Sequence, residues 1–167
     1  MPDTIETPRL TLRPYVPADA RAVAVQIGVY DVAQWLTHVP HPYSEADAHA
    51  FFVEVADDPL VLAVLHDDDL VGCVSIIGGD LGYWYGAAHW GQGFATEAAR
   101  ALLDRYFETG HDSVTSGYLE GNDGSRNVLE KLGFEHTEVI STYAKSRRCE
   151  VPNHRMVLSK ARWERAT

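Results

Sequence analysis

The chain has 167 residues, a length that fits one domain with a core large enough to stand without disulfides or metals. Apolar residues make up 46% and charged residues 23%, the balance of a water-soluble globular protein, and the longest apolar run, Leu60 to Leu65, is far too short to span a bilayer. The formal net charge of −10 argues against nucleic acid as a general partner, which needs a basic face, and mildly favours a cationic substrate such as an amine.

No charged-then-apolar leader opens the sequence, since Asp3 and Glu6 precede any hydrophobic run. The two cysteines, Cys73 and Cys149, make no disulfide framework. Cys73 lies in an apolar run and reads as a buried small hydrophobe. A cytoplasmic location is expected.

Residues 7–14 alternate apolar and polar, which predicts a strand with Leu10 and Leu12 on one face and Pro14 at its end. Ala18 to Ile27 carries an apolar stripe at helical spacing, and Gly28 stops it. A short helix over Asp31 to Leu36 and a proline-rich loop over residues 38–43 follow. Ser44 then reads as an N-cap, with Asp47 three residues on completing a variant capping box, for a helix running to about Ala56. Its expected buried face is Ala48, Phe51, Phe52 and Val55.

Two β-rich runs, 60–66 and 70–77, flank Asp67-Asp68-Asp69, a hairpin signal of unclear turn type. Gly78-Gly79-Asp80 makes another turn into a strand over Leu81 to Tyr85. A helix over Phe94 to Phe107 has one apolar row, Ala95, Ala98, Leu102 and Tyr106, and Gly110 as its stop. A strand over 114–119, a helix over 125–132 ended by Gly133-Phe134, and strands over 137–143 and 155–158 complete the order. Hairpins feed one half and crossover helices the other, so an α/β domain is expected, its mixed sheet covered by helices on both faces.

Between the strand 81–85 and the helix at Phe94 sits His89-Trp90-Gly91-Gln92-Gly93-Phe94-Ala95. A glycine turn feeding a helix start leaves N–H groups free and favours an anion. A Walker A loop is excluded, for no Gly-Lys-Ser/Thr follows, and a Rossmann fingerprint fits poorly in mid-chain after a hairpin. Two readings stay open: a tight strand–helix turn, or a diphosphate loop in which Gly91, Gly93 and Ala95 supply small residues at alternate positions.

Four stretches in order carry a resemblance over residues 5–163. They are the run from Thr7 to Pro14, the run from Pro42 to Ala48, Trp90-Gly91-Gln92-Gly93-Phe94-Ala95-Thr96-Glu97-Ala98, and the Asn122 to Phe134 stretch with its Asn-x-x-Ser and Lys-Leu-Gly-Phe. Together they resemble the GNAT superfamily of N-acetyltransferases, in particular its RimJ/RimL-like branch of ribosomal-protein alanine acetyltransferases. The resemblance implies a single GNAT domain over 1–167 with a mixed, mostly antiparallel sheet of six or seven strands, splayed at a cofactor cleft. It implies direct acetyl transfer from acetyl-CoA to a primary amine, a protein N-terminus or a small amine, with no metal. A non-catalytic acyl-CoA-binding module of the same fold is the alternative. A monomer or a homodimer fits equally.

By similarity, the N–H groups from Gly91 to Thr96, including those of Gln92, Gly93, Phe94 and Ala95, hold the coenzyme A diphosphate beside Trp90. Trp84, Tyr85 and Gly86 line the pantetheine arm, and an N–H near Tyr85 polarises the thioester carbonyl. Asn122 bonds the pantetheine amides or caps a helix, and Lys131 approaches the adenosine phosphate or lies on the surface. Ser125 matches the serine placed by the thiol sulfur, and Asp80 is the first candidate base, ahead of His38, His41 and His154. The family varies its acceptor groove, which falls here in residues 28–44 and 144–153.

Overall fold

The computed structural model describes residues 4–167; Asp3, invoked above, lies outside the described residues. In chain order the elements are β1 (Ile5–Glu6), β2 (Thr11–Arg13), α1 (Ala20–Ile27), α2 (Tyr30–Ala33), α3 (Glu45–Glu54), β3 (Val61–His66), β4 (Asp69–Ile77), β5 (Asp80–Tyr85), α4 (Phe94–Glu108), β6 (Ser113–Leu119), α5 (Asp123–Leu132), β7 (Glu135–Ala144), β8 (Cys149–Ser159) and α6 (Lys160–Ala166). The strands form one eight-stranded sheet in the order β1-β2-β3-β4-β5-β6-β8-β7. Every neighbouring pair is antiparallel except β5 and β6. Among the described residues no helix is long and apolar enough to cross a membrane.

Sheet continuity from β3 to β5 comes from two tight hairpins. Asp67 and Asp68 have φ of 50° and 67°, and Gly78 and Gly79 have 58° and 77°. Positive φ at both central residues is the turn geometry whose twist matches paired strands, and aspartate, like glycine, tolerates it. Strand alternation then sorts the core. Leu62, Val64, Val74 and Ile76 pack with Leu102, Leu103 and Phe107 of α4, Leu129 of α5 and Trp163 of α6 on one face. Ala63, Leu65 and Leu70 pack with Val23 and Ile27 of α1 and Ala48 of α3 on the other.

Three expectations are corrected. The strand read over 7–14 is shortened to Thr11–Arg13: Thr7 N donates to Leu10 O at 2.9 Å and Leu10 N to Thr7 Oγ1 at 2.9 Å, turning residues 7–10 so that β1 folds back on β2. β1, upstream of that reading, is the eighth strand. The last strand begins at Cys149 rather than Arg155. Glu150, Pro152 and Asn153 hide it in the sequence, because they pair with β7, a strand exposed along most of its length. The helix α6 was absent from the reading; Ser159 Oγ caps it by accepting from Arg162 N at 3.1 Å, and Trp163 anchors it in the core.

Smaller shifts have local causes. The Ser44–Asp47 capping box forms, and Asp47 sits below the usual carboxylate range because the Ser44 backbone N–H and hydroxyl donate to it. On α3, however, only Ala48 is fully buried; Phe51 and Phe52 are half-buried against Tyr15. Helix α5 starts at Asp123, two residues before the expected start, because Asn122 caps it. Gly133, at φ 99°, closes it with Phe134 N donating to Leu129 O, the bond of a Schellman end.

Candidate active site

Among the described residues strands β5 and β6 are the only parallel neighbours, and they pair at one position, Asp80 with Thr115. Ser116 Oγ donates to Leu81 O at 2.8 Å one step further on. Beyond it no register joins the strands, so the sheet opens between Gly82–Tyr85 and the end of β6. Backbone groups alternate in direction along a strand. Gly86 N donates to Val71 O at 3.0 Å, so Gly86, Trp84 and Gly82 face β4, while Tyr83 and Tyr85 turn their N–H groups into the opening.

At the wide end of the opening the chain turns into α4. Gly91 and Gly93 have φ of 73° and 80°, left-handed values that side-chain-bearing residues rarely adopt. Trp90 Nε1 donates to Tyr85 O at 2.8 Å and fixes the turn to the end of β5. Among the described residues none of the six N–H groups from Gly91 to Thr96 donates to a protein acceptor; the first bonded one is Glu97 N, to Gly93 O. Bare donors in left-handed turns, at the positive end of a 15-residue helix, fit a diphosphate.

A charged bracket holds that turn. Arg9 Nη1 donates to Gln92 O at 2.7 Å and Arg9 Nε to Glu97 Oε2 at 2.7 Å, while the guanidinium lies 4.9 Å from the centre of the Phe94 ring. Burial alone would raise the Glu97 pKa, but hydrogen bonds from Thr7 and Arg9 outweigh it and hold the carboxyl below its usual range. An open cleft of about 640 Å³ runs from Thr7 past Gly93, Thr96 and Arg100 to Lys131. It brings together three stretches that the resemblance linked, with two cations on the path of a phosphorylated ligand.

Helix α5 brings Ser125 to the opening. Asn122 Oδ1 accepts from Ser125 N at 3.2 Å, so Asn122 is the cap, with its amide nitrogen unused by the protein among the described residues. Ser125 Oγ lies 2.8 Å from Tyr83 Oη, a bond that joins α5 to β5. Burial pushes the Tyr83 phenol up to about 12, and the hydrogen bond to Ser125 only partly offsets it, so the phenol stays neutral. Sequence reasoning missed Tyr83, since it lies 42 residues from Ser125; its odd position on β5, facing α4 and α5, was the available signal.

Not every expected side chain reaches the cleft. Tyr85 is buried in the core with its hydroxyl unpartnered and raised well above its usual pKa by burial, so it serves the cleft through its main chain. Phe94 is likewise core, and the Trp90 indole is spent on Tyr85 O. Asp80 lies at the narrow end of the opening. Its Oδ1 accepts from Thr115 Oγ1 at 2.7 Å and is ion-paired with Arg155 Nη2, and Oδ2 has no protein partner among the described residues. Of the histidines, His154 stacks on Tyr118 near Glu120, and His41 lies against Tyr30.

The two loops assigned to the acceptor meet. Ser146 Oγ donates to Ala33 O at 2.8 Å, Arg147 Nε to Gln34 O at 2.8 Å and Lys145 N to Thr37 O at 3.1 Å. Trp35, beneath the Arg147 guanidinium, packs with Leu119, Ala144 and Val151 and faces Gly121, next to Asn122. A wall from residues 33–37 and 144–148 therefore stands beside the loop that leads into Asn122.

A model of the acetyltransferase (GNAT) domain matches residues 9–135 of this chain. The probable N-acetyltransferase YjcK of Bacillus subtilis (strain 168) is 43% identical over 84 residues, 45% of this chain and 46% of that protein. The chain spans less than half the length of two curated relatives it matches, 39% and 46%. A solved structure described as a probable acetyltransferase superposes with a TM-score of 0.86 at 22% identity, over 96% of this chain and 98% of that one. RimJ of Mycobacterium smegmatis, in complex with CoA-disulfide, superposes with a TM-score of 0.78 at 18% identity, over 91% and 82%.

Proposed function

The chain belongs to the GNAT acetyltransferase family, and from that premise we propose that it is an N-acetyltransferase moving acetyl from acetyl-CoA to a primary amine, either a protein N-terminus or a small amine. The row of undonated N–H groups from Gly91 to Thr96, opening into the cleft that reaches Lys131, carries this reading. Bound acetyl-CoA supplies a thioester whose acetyl carbon a neutral amine can attack. The turn and Lys131 bind the phosphates, and the main chain of β5 lines the arm beside the Asn122 amide. The N–H groups of Tyr83 and Tyr85 face the negative charge that develops on the acetyl oxygen.

Two proton movements remain. The acceptor arrives as an ammonium and must lose a proton before its nitrogen forms the new C–N bond. Asp80 Oδ2 takes it, directly or through water. As the C–S bond breaks, the adduct nitrogen gives up its extra proton, which passes through water to the departing sulfur and neutralises the thiolate, while Ser125 Oγ, held in place by Tyr83 Oη, donates a hydrogen bond to that sulfur.

Thermal shift with acetyl-CoA, NAD and ATP tests the donor. A specific ligand at a hundred times its Kd adds about 2.7 kcal/mol, so acetyl-CoA alone should raise Tm by several degrees. Absence of that shift would overturn the assignment. Thiol release over an amine panel then separates an enzyme from a binding module, which binds acetyl-CoA and releases no thiol with any amine.

A further inference from the structure

On the face of the opening shared with the acceptor-side wall, the sheet floor is bare at two glycines. At Gly82 a side chain would meet only Ser75 Oγ, 3.6 Å from its first carbon. At Gly117 the space is taken by polar ends: Asn153 Oδ1 and Arg155 Nη1 lie 2.6 and 2.8 Å from where a Cβ would stand. Arg155, the cross-strand partner of Gly117, thus lies flat over β6 and reaches Asp80 on β5. Any larger residue at 117 would displace it.

The ion pair uses little of either group. Arg155 Nη2 meets Asp80 Oδ1, which also accepts from Thr115 Oγ1. A guanidinium has five donors and a carboxylate about four acceptor sites. Asp80 Oδ2 and Arg155 Nε and Nη1 therefore have no protein partner among the described residues, and the side chains remain 45% and 21% exposed. The pair is neutral overall, so it has no net pull on a polycation. It presents an unused anion edge and an unused cation edge side by side. Asp80 lies two residues from Gly82 on the same strand face, about 7 Å along β5, at the edge of the opening.

We propose, resting on the N-acetyltransferase reading above, that Asp80 and Arg155 form a zwitterion site, and that the preferred acceptor is a free α-amino acid. Its ammonium sits at Asp80 Oδ2 and its carboxylate at Arg155. Arg155 is a specificity-determining residue for this acceptor. A peptide N-terminus, whose adjacent carbonyl is an amide, lacks the charge that Arg155 would bind, and a polyamine brings only the ammonium.

Calorimetry on the coenzyme A-loaded protein tests this, with alanine, glutamate and glycine each compared with its α-carboxamide, plus an alanine-initiated peptide and spermidine. At least one free amino acid should bind about tenfold or more tighter than its carboxamide, the worth of one charge-assisted hydrogen bond. Arg155→Gln should bring that ratio to about one and Arg155→Lys should keep part of it, because a point charge without the planar fork remains. Coenzyme A titration of both variants checks their fold. Carboxamides, the peptide or spermidine binding as tightly as every free amino acid would overturn the zwitterion site, as would an unchanged ratio in Arg155→Gln. Thiol release without carboxylate preference sinks this inference alone. No thiol release from any amine, with acetyl-CoA still bound, sinks the N-acetyltransferase reading, while the binding ratios still decide the acceptor class.

Discussion

The donor side and the acceptor side of the opening are built in opposite ways. On the donor side, β5, the glycine turn and α4 are consecutive in the chain, and the binding groups are mostly main-chain N–H groups whose direction follows from local φ. On the acceptor side, the wall is stitched from segments more than a hundred residues apart, by Ser146 on Ala33 and Arg147 on Gln34. The proposed donor site is thus a property of a peptide segment, whereas the proposed acceptor site is a property of the packed fold. Substitutions should separate the two.

The largest expected effect falls where the sides meet. Ser125→Ala should lower kcat by about a hundredfold, within the usual range for a lost hydrogen bond to charge developing in the transition state, with the acetyl-CoA KM little changed. Tyr83→Phe should lower it less and in the same sense, because Ser125 survives but loses its 2.8 Å partner. Steady-state kinetics with both substrates varied checks this, and an unchanged kcat in Ser125→Ala would remove the serine from the chemistry.

Next comes the donor side alone. Gly93→Val puts a β-branched residue at φ 80° and its Cβ within 3.2 Å of Arg9 Nη2. Strain of about 1–3 kcal/mol at the turn should weaken acetyl-CoA binding by roughly tenfold or more and leave acceptor selectivity intact. Calorimetric titration with coenzyme A measures it. Selectivity that shifted with Gly93 would break the division between the sides.

On the acceptor side, Ser146→Ala removes the buried bond to Ala33 O. It should cost about 1 kcal/mol of stability and raise the acceptor KM without moving the acetyl-CoA KM. Denaturant unfolding and two-substrate kinetics read the two parts.

The smallest expected effect concerns acid. Against the upward push of burial, hydrogen bonds from Thr7 and Arg9 hold the Glu97 carboxyl below its ordinary 4.5 in the folded protein. The carboxylate–Arg9 bracket therefore contributes its full stability above about pH 4.5, and that contribution fades as pH falls through the lower folded value. Glu97→Gln should flatten this part of the stability-versus-pH curve, and an unchanged acid limb would show that the bracket contributes nothing.

Much of the fold was legible because its signals are local. Apolar β-rich runs between turn signals placed β3 to β6, the capping box placed α3, and Gly133-Phe134 placed the end of α5. What stayed hidden depends on remote partners. The reversal at Thr7–Leu10 that shortens the first predicted strand, the polar start of β8 opposite an exposed β7, and the Trp163 anchor of α6 each need a neighbour to make sense of the residue. In the site, Arg9 escaped notice for the same reason: its partners Gln92 and Glu97 lie more than eighty residues on.

The sequence by itself carried the glycine-bearing strand–helix turn, whose shape is local, and the family, through four stretches that resemble it in order. Only the tertiary structure decided that Tyr83 meets Ser125, that Asp80 is shared with Arg155, and that residues 33–37 and 144–148 close one wall. Each pairing joins elements far apart in the chain, β5 with α5, β5 with β8, and the end of α2 with the β7–β8 turn, so no local pattern encodes it.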